Sequence, residues 1–152
     1  MQNRLLISIF LWVVLSQLSH AQIPAMLPNV KDTEPGEASQ IDGLWSISTI
    51  DKLVRIDRGR IYAVDSWLHL FVLKVTPGMV IVHPFKLESA GVFVGYDLPL
   101  QGELTGILSG DRLINVTVQG AFGEIKYQLI PRELDNPEAF DMLFEETRFI
   151  GR

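Results

Sequence analysis

Between Gly43 and about Pro131 the chain consists of short apolar runs with period-two alternation, cut at close intervals by turn-forming residues. This pattern limits the fold more than any other feature, because alternation builds half-buried strands and the breaks between them build hairpins. Trp45, Ile47 and Thr49 share one face of an expected first strand. Val54 and Ile56 lead to Asp57-Arg58-Gly59, and Arg60 to Val64 resumes an extended pattern, so a hairpin is expected there. Leu68 to Val75 is almost continuously apolar, stops at Thr76-Pro77-Gly78 and restarts as Met79 to Val82. Pro-Gly suits a type II turn, so these two runs are expected to form the strongest hairpin of the chain, and a run apolar on both faces is expected at the centre of the structure, covered on both sides.

Further along, Phe85 to Glu88 and Val92 to Tyr96 flank Ser89-Ala90-Gly91, while Gly102 to Leu108 and Arg112 to Val118 flank Ser109-Gly110-Asp111. Between these pairs Asp97-Leu98-Pro99-Leu100 breaks the pattern, since Pro99 restricts Leu98 and cannot donate to a ladder. The last expected strand, Glu124 to Leu129, places Ile125, Tyr127 and Leu129 on one face and Glu124, Lys126 and Gln128 on the other. After Pro131 the pattern becomes helical. Asp135 or Asn136 can cap, Pro137 suits the first turn, and Phe140, Leu143 and Phe144 form a stripe, which predicts one helix over 137–147. The expected fold is mainly β, with seven or eight short antiparallel strands as a meander barrel or sandwich and one C-terminal helix.

The N-terminus has the three-part form of an export signal. Arg4 lies in a short polar stretch, Leu5 to Leu15 is apolar, and the segment turns polar at Ser16, Gln17, Ser19 and His20, with small residues at Ser19 and Ala21. The apolar block is shorter than the ~20 residues a membrane span needs. Residues 1–21 are therefore expected to be removed, leaving 22–42 as a flexible leader or an arm on the domain, and 43–152 as one domain. The leader contains Pro24, Pro28, Pro35 and Gly36 without sustained periodicity. The expected destination is the bacterial periplasm or the exterior, with no membrane insertion once the signal is cut.

The chain carries 13 Lys+Arg against 18 Asp+Glu and no cysteine. A moderate negative charge without a basic run argues against nucleic acid as a partner. Without disulfides the apolar core alone must hold an exported domain together, and thiolate chemistry is excluded.

Gly43-Leu44-Trp45 at the start of the first strand, with a helix at the end of the chain, resembles the lipocalin and calycin pattern. That resemblance implies an up-and-down barrel in which Trp45 plugs the closed end and the open end takes an apolar ligand.

Candidate chemistry is sparse. His69 and His83 lack a metal-ligand spacing, and no metal or cofactor is expected. Asp65, Ser66 and His69 supply the residue types of a nucleophilic triad, but a strand would send Ser66 to the opposite face. Asp97 is one of many carboxylates from which a glycosidase pair could be drawn. Lys52, Arg55, Arg58 and Arg60, interleaved with Asp51 and Asp57, either hold an anion or pair locally. Trp45, Tyr62, Trp67, Phe71, Phe93 and Tyr96 either line an apolar pocket or fill the core.

No catalytic residue is assigned. The leading expectation is a non-enzymatic binding or assembly module of the cell envelope that holds a small apolar ligand. The alternatives are docking on an envelope protein or a second copy through a sheet edge or the C-terminal helix, and a hydrolase using scattered carboxylates.

Overall fold

The computed structural model describes residues 27–121 and 123–150. The expected export signal lies outside the described residues, as do the first residues of the leader. The strands are β1 (Gly43–Ile47), β2 (Lys52–Asp57), β3 (Arg60–Ala63), β4 (Trp67–His69), β5 (Leu73–Val75), β6 (Val80–Ser89), β7 (Val92–Asp97), β8 (Gly102–Leu108), β9 (Ile114–Gly120) and β10 (Gly123–Leu134). Helix α1 (Pro137–Ile150) follows. Eight of these strands close into an antiparallel barrel in the order β1-β2-β3-β6-β7-β8-β9-β10, with β10 bonded back to β1, while β4 and β5 form a separate ribbon. The architecture is therefore a barrel and not a sandwich.

Alternation explains the closure. Along β8, residues 102, 104, 106 and 108 are buried and those between them exposed. On β9 Ile114, Val116 and Val118 are buried, and on β10 Ile125, Tyr127 and Leu129 turn inward as their spacing implied. Each inward row faces the next across the lumen, so closing the sheet buries one complete face and removes the free edges. The β2–β3 hairpin turns through Arg58 (φ 45°) and Gly59 (φ 77°). Two successive positive φ values make the mirror-image turn whose twist matches paired strands. At Gly43 a side chain would collide with the backbone carbonyl of Glu133, so the absence of a Cβ lets β10 pack against β1.

Four elements differ from expectation: the separate runs Met79 to Val82 and Phe85 to Glu88 merge in the single strand β6, and three others depart further. Leu68–Val75 is not a central strand: it folds back on itself as the β4–β5 ribbon, with Leu68 paired to Lys74. Leu70 (φ 47°) and Phe71 (φ 62°) form its tip, with Phe71 93% and Val72 83% exposed. The Thr76-Pro77-Gly78 turn does form, with the Met79 amide donating to the Thr76 carbonyl at 3.1 Å. It joins the ribbon to β6 without pairing the two as a hairpin, since β5 bonds β4 while β6 lies in the barrel between β3 and β7. Strand β10 runs past Pro131 to Leu134, because a bulge between Leu44 and Trp45 absorbs the missing proline N–H. Helix α1 extends to Ile150, beyond the expected residue 147.

From Leu27 onward the leader lies along the barrel. Leu27 and Ile41 are buried, and Val80 donates its amide to the Pro28 carbonyl at 2.8 Å. Arg60, itself buried, donates to the carbonyls of Val30 at 3.1 Å and Thr33 at 2.6 Å and pairs with Asp57.

Candidate functional site in the barrel mouth

The two ends of the barrel are built differently. At one end α1 crosses beneath the strands. Asn136 caps it by accepting the Ala139 amide at 3.0 Å, and Phe140, Leu143 and Phe144 are buried against the barrel. Phe140 meets Trp45 edge to face with ring centroids 6.0 Å apart, and the Trp45 indole N–H donates to the Ile41 carbonyl at 2.9 Å. Arg112, in the β8–β9 turn, lies 4.9 Å from the Phe140 ring and 5.0 Å from the Phe144 ring while its guanidinium pairs with Asp141. This end is plugged.

The opposite end holds a cavity of about 270 Å³. Its floor is the lumen between Ile47, Ile81, Asp97, Ile125 and Tyr127, and its walls are the β1–β2 turn with Thr49 and Ile50 and the β7–β8 turn with Pro99 and Leu100. The β4–β5 ribbon supplies the remaining side through Trp67, Leu68, His69 and Leu70.

Asp97 continues the inward row of β7 after Phe93 and Gly95, at a depth where an apolar residue would be ordinary. It is only 5% exposed. Its carboxylate accepts the Leu100 amide at 2.8 Å, and no ion pair among the described residues includes it. Burial pushes its pKa up to about 6, opposed by the Leu100 bond. Burial also raises the Tyr127 phenol well above its ordinary value, with the charge of Asp97 adding to the effect. The Nε2 atom of His69 is shielded from solvent and has no hydrogen-bond partner among the described residues, and burial pulls the pKa of that imidazole down. The cavity therefore combines an apolar lining with a carboxyl, a phenol and an imidazole, and among the described residues no cation pairs with the carboxyl.

Of the six aromatics singled out from the sequence, Trp67 lines this cavity. Trp45 is in the plugged end, and Phe93 is buried, stacked on Phe85 at 5.4 Å. Tyr62 is half-buried on the outer side of β3, Tyr96 is 41% exposed, and Phe71 stands at the ribbon tip. The structure does not bring these six together. Asp97 and Tyr127, which sequence reasoning left out of the site, were detectable only as a carboxylate and a phenol in phase with inward-facing neighbours.

The remaining candidates have local explanations. Asp65 accepts the Leu53 amide at 2.9 Å. Arg55 pairs with Asp135 at 2.6 Å, and Arg58 with Asp57 at 3.0 Å. A wider groove of about 570 Å³ runs between residues 34–41, the β2–β3 turn and His83 to Leu87, and the shielded Nδ1 of His83 has no partner among the described residues. The leader forms one wall of that groove and the buried, inward-facing Ile56 and Phe93 another, so it borders the core beside the plug, whereas the mouth cavity opens into the lumen at the far end. No three His, Asp or Glu side chains gather in a metal-holding group among the described residues.

No protein-family model matches the chain, and comparison with curated proteins and with solved structures gives no match either. The functional reading therefore rests on the geometry of the mouth.

Proposed function

We propose that this protein is an exported binding module that holds a small apolar molecule in the open mouth of a lipocalin-like barrel. The observation that carries the reading is the asymmetry of the barrel: one end filled by α1 and Trp45, the other enclosing an apolar cavity with a few inward polar groups. Ligand sites have this composition, with an apolar wall for affinity and a small number of polar atoms for orientation. Export is supported by the N-terminal sequence, and the Gly43-Leu44-Trp45 pattern, with Trp45 in the plugged end, agrees with the proposed kinship.

The test is titration with the neutral fluorophore N-phenyl-1-naphthylamine. Wild type should bind it saturably, one molecule per chain, and Ile125→Trp, which fills the lumen floor, should abolish binding while leaving the circular dichroism unchanged. Equal binding by a folded Ile125→Trp variant, or no saturable binding by wild type, would reject the reading.

A second reading has one observation in its favour. Leu68, Leu70, Phe71 and Val72 expose a contiguous apolar tip, which suits docking on an envelope protein or a second copy. Barrel closure leaves no free barrel edge for strand addition, so such docking would use this tip or the exposed Met142 and Phe149 of α1. A change of elution volume for Phe71→Ser against wild type, in the presence of the source extract, separates the two readings.

A further inference from the structure

We infer that the molecule held in the mouth carries a cationic amine, with its ammonium group directed at Asp97 and its apolar body along Ile47, Ile81 and Ile125. This inference rests on the ligand-binding reading above and names the chemical class of the ligand.

A carboxylate withdrawn from water is costly unless it is paired and hydrogen-bonded. Asp97 is buried on the inward face of β7, receives one backbone amide, and forms no ion pair with any described residue. The chain thus satisfies only part of the acceptor capacity of this side chain and leaves the rest facing a cavity. An alkyl- or arylammonium supplies both missing elements at once, a positive charge and N–H donors. The other polar groups lining the cavity do not compete for that role. The Tyr127 phenol is held neutral, so it can accept from a second ammonium proton. The His69 imidazole, with its pKa depressed by burial, is also neutral at and above neutral pH, and its shielded Nε2 lacks a partner among the described residues. The indole of Trp67 lines the same cavity, and aromatic rings attract cations. An anionic head would meet the charge of Asp97 in a low-dielectric site, which disfavours fatty acids and related carboxylates.

The experiment compares three eight-carbon probes, octylamine, 1-octanol and octanoate, by calorimetric titration at pH 8 into wild type and Asp97→Asn. The Asp97 carboxyl, with a pKa near 6, is ionised at that pH. Octylamine should bind about tenfold or more tightly than octanol, in line with a charge-assisted hydrogen bond, and octanoate weakest. In Asp97→Asn the preference for the amine should disappear while octanol affinity stays within about twofold, the expected behaviour when only a charged partner is removed. If octanol matches or exceeds octylamine in wild type, the amine assignment is overturned and the apolar-cavity reading stands. If octylamine keeps its advantage in folded Asp97→Asn, the assignment to Asp97 is overturned. If no probe binds either protein, both readings fail together. Should Asp97→Asn not fold, the order of the three probes on wild type still decides the ligand class.

Discussion

The two ends of the barrel put similar chemical resources to opposite uses. At the plugged end, Trp45, Phe140 and Phe144 are removed from water and an arginine covers two of the rings. At the mouth, four large apolar side chains of the β4–β5 ribbon face solvent, while a carboxyl is buried without a counter-charge from any described residue. Folding alone would favour the reverse. An arrangement that costs stability in one place is what the proposed ligand would complete.

This contrast can be tested at both ends. The largest effect should come from the plug: Phe140→Ala empties the contact with Trp45 and should lower stability by about 3–5 kcal/mol in urea denaturation. A loss below about 1 kcal/mol would mean that the helix rests on the barrel without closing it.

Asp97→Asn should move stability the other way. The folded state raises this carboxyl from 3.8 to about 6, so its protonated form is favoured by folding. The resulting stability is fully present below pH 3.8 and is lost as the pH rises through about 6, leaving a penalty on the ionised group at pH 8. Removing that ionisation should stabilise the protein by roughly 2–3 kcal/mol at pH 8. The gain should shrink as the pH falls toward 4, measured as urea midpoints across the range. A destabilised Asp97→Asn at pH 8 would show that the carboxylate is already compensated within the fold, and the contrast between the ends would fail. The smallest effect belongs to the ribbon tip, where Phe71→Ser should change stability by no more than about 0.5 kcal/mol because the ring is already in water. A larger loss would place Phe71 against the protein and shrink the exposed apolar tip.

Particular residues show how far the sequence could be read. Ile125, Tyr127 and Leu129 could be assigned to one inner face because period-two alternation is a property of the strand itself. The turn at Arg58-Gly59 and the stripe of Phe140, Leu143 and Phe144 were legible for the same reason, since local chemistry sets local conformation. The ribbon was not. Apolarity on both faces of Leu68–Val75 signals burial, yet here the run folds over the lumen with its tip in solvent. Asp97 was equally hidden, because the Leu98-Pro99-Leu100 break masked its continuity with Phe93 and Gly95.

The sequence by itself determined the strand alternation, the hairpin turns, the capped terminal helix and a core that must hold without disulfides, since each follows from side chains within a few positions of one another. Only the tertiary structure decided that the meander closes, which end α1 plugs, and that Asp97, Tyr127, His69 and Trp67 share one cavity. Those residues come from β7, β10 and the ribbon, and nothing short of barrel closure brings elements so far apart in the chain around one lumen.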